Sequence, residues 1–175
     1  DRTVTVLDVS PGSFATQHAP LCSVWGLLDP GDGIRADIRG SVHVGRTRTI
    51  AQDPAYGIRQ IADVGLRALS PGVNDPTTAH EAMLHLGAIL ADAYRRTPSP
   101  VTRRGERGQV LHEPHAPGHR ELTALAFDEL RRAVADHPRS AIDLLHVLTV
   151  LCRADHGCRD CVADLRDQGQ LVIEQ

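Results

Sequence analysis

Four side chains that can bind a metal ion lie within ten residues near the C-terminal end of the chain: Cys152, His156, Cys158 and Cys161. Three thiols and an imidazole can hold a zinc ion in tetrahedral geometry. The spacing is compact, however, and it lacks a second, separated ligand pair. Cys158, Cys161 and Leu165 also recur at helical spacing, and cysteine packs like a small hydrophobic residue. We therefore interpret the cluster as one face of a buried helix, with a zinc site as the alternative.

A second group of polar residues lies where two helices are expected to meet. The order Asn74-Asp75-Pro76 is typical of an N-cap followed by proline at the first helical position. A helix N-terminus with hydroxyl and guanidinium groups nearby can bind phosphate or carboxylate. The alternative is that Asp75 already occupies this end of the helix dipole, that Gly72 supplies a positive φ and that Arg67 pairs with Asp63. The residues predicted to bind a ligand or a partner are Arg59, Asp63, Arg67, Ser70, Asn74, Asp75, Thr77 and Thr78.

The segment from His112 to His115, together with His119, is a third place where a transition metal could bind. Pro114 and Pro117 indicate an extended surface loop, and the HExxH pattern of a zinc-binding helix is absent. We therefore interpret these histidines as residues of an exposed loop.

The composition narrows the classes of function. The 19 basic residues, all arginine, stand against 22 acidic ones, and the net charge of −3 argues against a general nucleic-acid binder. The absence of lysine excludes a Walker-type phosphate loop and a catalytic lysine, and no Gly-x-Ser-x-Gly elbow is present. No stretch reaches the roughly 18 to 20 apolar residues of a membrane-spanning helix. We predict no bound cofactor.

The middle and the end of the chain have helical periodicity. A helical hairpin is predicted from Asp53 to Tyr94, a third helix at about 122–134 and a fourth at 140–154. The fourth is apolar nearly all round, so we expect it to be the central buried helix. A fifth, short helix is predicted at 158–168, capped by Gly169.

Extended segments lie in front of these helices and between two of them. Residues 3–7 and 20–25 are predicted strands, and residues 34–44 are compatible with a helix or a strand. Residues 101–102 and 109–111 could pair as a hairpin.

The predicted fold class is therefore α+β, with a small N-terminal β part followed by a bundle of four to five helices. Residues 1–50 form the β part, packed on the bundle, and residues 51–169 form the bundle, with a loop or hairpin inserted at 96–118. The tail at 170–175 is a possible strand. We expect one compact domain overall.

Several sequence runs resemble one bacterial protein family. The runs QDPAYGIRQ at 52–60 and RALSPGVNDPTTA at 67–79 strongly resemble the C-terminal part of a family of predicted membrane proteins, domain of unknown function 2254. PGSF at 11–14, GRTRT at 45–49 and LAFD at 125–128 match further motifs of that family in the same order. The cysteine cluster and the histidines of the 112–119 loop match no family motif.

The resemblance implies membrane-spanning helices ahead of this region and a place in the bacterial inner membrane. Cysteines that we expect to be free indicate the cytoplasmic side. The resemblance implies no catalytic residue, so we expect a non-enzymatic soluble domain that assembles as a homo-oligomer or senses an anionic small molecule. The alternatives are a hydrolase or transferase that uses the 67–78 junction, and a zinc-binding module built on Cys152–Cys161.

The assembly and ligand hypothesis can be tested at Arg67. We expect Arg67→Ala to weaken self-association or ligand binding and to leave the helix content intact, because a surface arginine contributes to contacts more than to folding. Analytical ultracentrifugation measures self-association, and circular dichroism measures helix content. A variant that matches the wild type in both association and ligand binding would contradict the hypothesis.

Overall fold

The computed structural model describes residues 3–27, 29, 31–51, 53–98, 100–154 and 157–174. The chain divides into a sheet unit, residues 1–53 with 99–116, and a helical unit, residues 54–98 with 117–175. The predicted α+β class, with the β part first, is confirmed. In chain order the elements are β1 (Val4–Leu7), β2 (Cys22–Trp25), α1 (Gly31–Ser41), α2 (Pro54–Ala68), α3 (Pro76–Tyr94), β3 (Thr102–Arg104), β4 (Val110–His112), α4 (His119–Ala133), a 3-10 turn (Val134–Asp136), α5 (Pro138–Arg153) and α6 (Arg159–Ile173).

The sheet unit is built on four short strands in the order β2-β1-β4-β3. β1 runs antiparallel to β2 and parallel to β4, with Val4 opposite both Trp25 and Val110. β3 and β4 form the predicted antiparallel hairpin, with Thr102 opposite His112. The hairpin therefore groups with the N-terminal strands, although it lies in the chain between two helices of the helical unit.

The segment at 34–44, which was compatible with a helix or a strand, is helical up to Ser41. The Asp29 carboxylate accepts the Gly31 N–H at 3.0 Å and an Arg35 N–H at 3.2 Å, so it supports the start of α1. These bonds, that to Gly31 first, lower the pKa of Asp29.

The helical unit contains five α-helices among the described residues, and they form a ring of neighbours. α2 packs on α3 and α4, α5 packs on α3 and α6, and α6 also packs on α4. Every hydrophobic residue that is buried in the described part of the chain belongs to this unit. The interior is mostly aliphatic, as the composition predicts, with Tyr94 and Phe127 as its large aromatic residues.

Two glycines allow these helices to approach closely. A Cβ atom on Gly65 of α2 would lie 2.9 Å from Leu130 Cδ2, and one on Gly87 of α3 would lie 2.8 Å from Val147 Cγ1. Glycine costs a helix about 1 kcal/mol relative to alanine, and the close packing of apolar side chains offsets this cost.

The structure corrects two predictions about the last helices. α5 is not the central helix, because Ile142 and Val150 are 67% and 54% exposed, whereas α3 carries seven buried residues. α6 does not end at Gly169 but continues to Ile173, so a helix stands where the tail was a possible strand. The burial of Val172 at 7% exposure explains the extra turn, since the core gains apolar area there.

A buried hydroxyl connects α3 to α4. Tyr94 Oη lies 2.6 Å from Thr123 Oγ1, and the threonine hydroxyl donates to the His119 carbonyl at 2.8 Å. Burial raises the pKa of Tyr94 to about 12.

The raised pKa predicts a loss of stability in alkali. An unfolded tyrosine has a pKa of about 10, so the contribution of Tyr94 is complete below pH 10 and disappears as the pH rises towards 12. We expect the free energy of unfolding, from urea titrations followed by circular dichroism, to fall in this range for the wild type. The fall in the free energy of unfolding should be smaller for Tyr94→Phe than for the wild type. For the control Tyr56→Phe it should equal that of the wild type. An equal fall in all three proteins would contradict the prediction.

Candidate functional site

α6 begins at a Cys-x-x-Cys motif. Cys158 is the N-cap residue, and its sulfur accepts the backbone N–H of Cys161 at 3.3 Å. The two cysteines form a disulfide, with their Cα atoms 5.3 Å apart, so the expectation of free cysteines is wrong for this pair and holds for Cys22 and Cys152. Cys161 is 1% exposed, whereas Cys158 is half-buried. The motif therefore presents one sulfur towards the surface and keeps the other inside.

His119, the first residue of α4, lies against both sulfurs. Its Nδ1 is 3.4 Å from Cys158 Sγ and 3.3 Å from Cys161 Sγ. Its Nε2 is 3.1 Å from the carbonyl oxygen of Arg96. Because a carbonyl can only accept, Nε2 carries the hydrogen of this bond. In the neutral ring the lone pair is then on Nδ1, which faces the cysteines.

The surroundings of His119 hold its ring in place. The ring of Tyr94 meets it edge-on, with centroids 5.4 Å apart and planes at 67°. The carbonyl of His119 accepts the Thr123 hydroxyl. Glu121 accepts the N–H of Gly118, the N-cap of α4, at 3.0 Å, which orders the start of the helix.

The site opens into a pocket of about 500 Å³ with an acidic lining. Glu121, Asp160 and Asp164 contribute three carboxylates, and Arg120 contributes one guanidinium group, 3.9 Å from Asp164. The excess of negative charge attracts cations and opposes the negative charge of a thiolate.

The structure reproduces the predicted metal-ligand set only in part. Cys152 is not in the group: its half-buried thiol lies 4.0 Å from the Val162 carbonyl, and burial raises its pKa. His156 lies outside the described residues. His119 supplies the imidazole instead. In the part of the chain that the structure describes, His119, Cys158 and Cys161 form the group whose ligand atoms all lie within 4.8 Å of one another.

The sequence identifies the two cysteines of this group but not its histidine. A Cys-x-x-Cys at the start of a predicted helix is a known arrangement for thiol chemistry. The interpretation of both cysteines as residues of a buried helix face did not use this signal. Nothing local pairs these cysteines with a histidine 39 and 42 residues away. The interpretation of the histidines at 112–119 as exposed-loop residues is wrong for two of them. His119 begins α4, and His112 lies in β4, where its Nδ1 is 2.9 Å from Thr102 Oγ1.

At the helix junction, Asp75 caps α3. Its Oδ1 accepts the N–H groups of Thr77 and Thr78, each at 3.1 Å, and its Oδ2 accepts the Thr78 hydroxyl at 2.5 Å. These hydrogen bonds, that from the Thr78 hydroxyl first, lower the pKa of Asp75. A carboxylate of the protein thus already uses the N–H groups that an external anion would need. Binding by the junction stays a prediction.

The other junction residues are placed separately. Ser70 Oγ donates to the Arg67 carbonyl at 2.6 Å, and the exposed Asn74, not Gly72, has the positive φ, at 47°. Thr77 is also exposed.

The three charged candidates on α2, Arg59, Asp63 and Arg67, do not act as one group. Arg59 reaches across to Glu129 of α4, at 2.9 Å, so it does not pair with Asp63. Arg67 is exposed, and among the described residues neither it nor the half-buried Asp63 forms an ion pair.

Three of the sequence motifs meet in the sheet unit. The guanidinium group of Arg48 donates to Asp53 through Nε at 2.9 Å and Nη2 at 2.5 Å, and Asp53 is only 7% exposed. Gly12, with φ at +79°, lies so close that a Cβ atom would collide with the Asp53 carboxylate. The motifs thus include an ion pair between an exposed arginine and a buried carboxylate, and the glycine turn that packs on it.

Comparisons with known proteins place this chain in a family. A family model described as "Predicted membrane protein (DUF2254)" matches residues 1–150. Uncharacterized proteins of Mycobacterium bovis and Mycobacterium tuberculosis are 32% identical to this chain over 132 residues, which is 75% of this chain and 25% of theirs. The chain therefore spans about a quarter of the length of the curated relatives it matches. No solved structure matches.

The family resemblance inferred from the motifs is confirmed. Cys158 and Cys161 lie beyond the residues that the family model matches, whereas His119 lies within them. Among the residues with described placement, no helix is long and apolar enough to cross a membrane.

The cap at Asp75 gives a testable prediction. Asp75→Ala should lower the urea midpoint of unfolding at pH 7, because it removes the acceptor of three hydrogen bonds. Asp75→Asn should lower it less, since asparagine also caps helices. Because the folded pKa is lowered, the charge-dependent part of this stabilisation exists above the unfolded pKa of about 3.9 and is lost below it. Identical midpoints for wild type and Asp75→Ala at pH 7, measured by circular dichroism, would contradict the prediction.

Proposed function

Because this chain belongs to the DUF2254 family of predicted membrane proteins, we propose that it is a non-enzymatic sensing module of such a protein. Its sensing element is the Cys158–Cys161 pair, which changes between a disulfide and two thiols. The observation that carries this proposal is the disulfide at the start of α6, with a histidine against both sulfurs and a pocket in front of them. The proposal places this part of the protein on the cytoplasmic side of the bacterial inner membrane, where thiols can reduce it.

The burial of the two sulfurs defines the order of the exchange reaction. An external thiolate attacks the sulfur of Cys158, since Cys161 is 1% exposed. The bond between the two cysteines breaks, a mixed disulfide forms at Cys158, and the sulfur of Cys161 leaves as a thiolate and takes up a proton. A second external thiolate then attacks the sulfur of the first external thiol in the mixed disulfide, and Cys158 leaves as a thiolate. The two external thiols are thereby joined in one disulfide.

The charges around the pair favour slow equilibration over catalytic turnover. The N-terminus of α6 stabilises a thiolate at Cys158 by about 0.3–1 kcal/mol. The carboxylates of Glu121, Asp160 and Asp164 oppose the same charge. Because exchange rates depend on the thiolate fraction, this arrangement is better suited to reporting the redox state of the surroundings than to rapid turnover.

The hydrolase or transferase alternative has less support. The hydroxyl of Ser70 donates to a backbone carbonyl, and the carboxylate of Asp75 is used as a helix cap. These bonds occupy the nucleophile and the base that such a mechanism needs. Assembly as a homo-oligomer and binding of an anionic ligand stay proposals, with the exposed Arg67 as their test.

Redox titration tests the sensing proposal. In glutathione buffers of increasing reducing ratio, the pair should open in one reversible two-electron transition. Alkylation and mass spectrometry should count it as a gain of two thiols over those of Cys22 and Cys152. Brief labelling after reduction should modify Cys158 before Cys161, because only Cys158 reaches the surface. Cys158→Ser should abolish the transition. The matched control Cys152→Ser should leave it unchanged, because this cysteine is outside the group.

Two results would contradict the proposal. One is a pair that stays fully oxidised or fully reduced across the whole range of buffers. The other is identical hydrogen exchange at the starts of α4 and α6 in both redox states, since a sensor must differ structurally between them.

A further inference from the structure

We infer that the reduced Cys158–Cys161 pair and His119 form a binding site for a thiophilic divalent cation of the zinc type. The inference rests on the proposed function in one respect, which is that the disulfide must open before the sulfurs can act as ligands. Two thiolates and an imidazole are the ligands that zinc prefers in proteins.

The distances between the ligand atoms suit a tetrahedral metal ion. With metal–sulfur and metal–nitrogen bonds of about 2.3 and 2.0–2.1 Å, the sulfur-to-nitrogen edge of a tetrahedron is about 3.5 Å. In the structure Nδ1 of His119 lies 3.4 and 3.3 Å from the two sulfurs. The sulfurs must separate to about 3.8 Å when the bond between them breaks. Cysteines at this spacing are common ligands of structural zinc ions.

The hydrogen bonding of the histidine is the second, independent observation. Metal-bound histidines usually donate their other ring N–H to a carboxylate or a backbone carbonyl, which leaves the lone pair free for the metal. His119 does this through Nε2 and the Arg96 carbonyl, and the ring of Tyr94 supports its orientation. Packing of a cysteine in a core does not require a histidine lone pair directed at its sulfur.

The charge of the pocket favours a cation once the pair is reduced. Two thiolates add to an excess of carboxylates over guanidinium groups in the lining, and a divalent cation neutralises this charge. A water molecule or a carboxylate from the pocket can complete the four ligands. Zinc binding stabilises the thiolates that the acidic lining otherwise opposes.

The site couples metal binding to the redox state. With hydrogen peroxide as the oxidant, two zinc-bound thiolates, one peroxide and two protons give one disulfide, two water molecules and a free zinc ion. The thiolates supply the two electrons that reduce the peroxide. Once oxidised, the sulfurs have lost their negative charge, so the cation leaves.

Cobalt(II) binding tests the site on the 175-residue chain. After anaerobic reduction, thiols are counted first, and one equivalent of Co²⁺ is then added. We expect thiolate-to-cobalt absorption in the near ultraviolet, tetrahedral bands in the visible, and displacement of both by Zn²⁺. His119→Ala should weaken zinc affinity by at least about 10-fold, and the controls Cys152→Ser and His112→Ala should bind like the wild type.

X-ray absorption of the zinc-loaded wild type gives a measurement that no folding defect of a variant can affect. Two sulfur ligands and at least one nitrogen ligand support the inference, and an all-oxygen or all-sulfur shell overturns it. Two thiols gained on reduction, in addition to those of Cys22 and Cys152, without cobalt bands overturn it as well, and the redox proposal then stands. Unaltered binding by His119→Ala overturns the assignment of His119. A thiol count that stays at two after reduction, from Cys22 and Cys152 alone, overturns both proposals because the pair then never opens.

Discussion

The need of one buried hydroxyl for a hydrogen bond organises the end of the helical unit that carries the candidate site. Tyr94 is 2% exposed, and a buried hydroxyl without a partner costs about 1–3 kcal/mol. The Tyr94 hydroxyl forms a hydrogen bond with the Thr123 hydroxyl, which itself donates to the carbonyl of His119. The end of α3 and the first turn of α4 are thereby joined. The same tyrosine ring and the Arg96 carbonyl then orient the imidazole towards α6, so the geometry at the cysteines depends on packing two helices away.

The cysteine site combines charges that act against one another in one state and together in another. The N-terminus of α6 favours a thiolate, whereas the carboxylates at the pocket disfavour it. A disulfide removes the conflict because it carries no charge, and a bound cation removes it because it neutralises both thiolates and carboxylates. The two proposed states of the site are thus two ways to satisfy the same electrostatic environment. The three ligand atoms come from two helices, so both states require α4 and α6 to remain packed.

Local rules accounted for much of the fold. The Asp75-Pro76 cap and the apolar periodicity of α2 and α3 predicted the helical hairpin, because N–H capping and side-chain spacing act within a few residues. The hairpin of β3 and β4 was also within reach, since its two strands are close in the chain. The same reasoning misjudged α5, whose apolar residues at 142 and 150 face outwards, because hydrophobic spacing predicts a helix but not which neighbours cover it.

The amino-acid order alone therefore decided the class of the fold, the main helices, the family and the position of a Cys-x-x-Cys at the start of α6. Contacts between elements decided the rest. β1 pairs with β4, which lies more than a hundred residues later in the chain. Arg59 of α2 pairs with Glu129 of α4. The imidazole that completes the cysteine group comes from His119 of α4. Helix caps and periodicity arise from interactions within one or two turns, so they can be read along the chain. The partner of a side chain in another helix depends on how whole faces pack, and no short stretch of sequence contains that information.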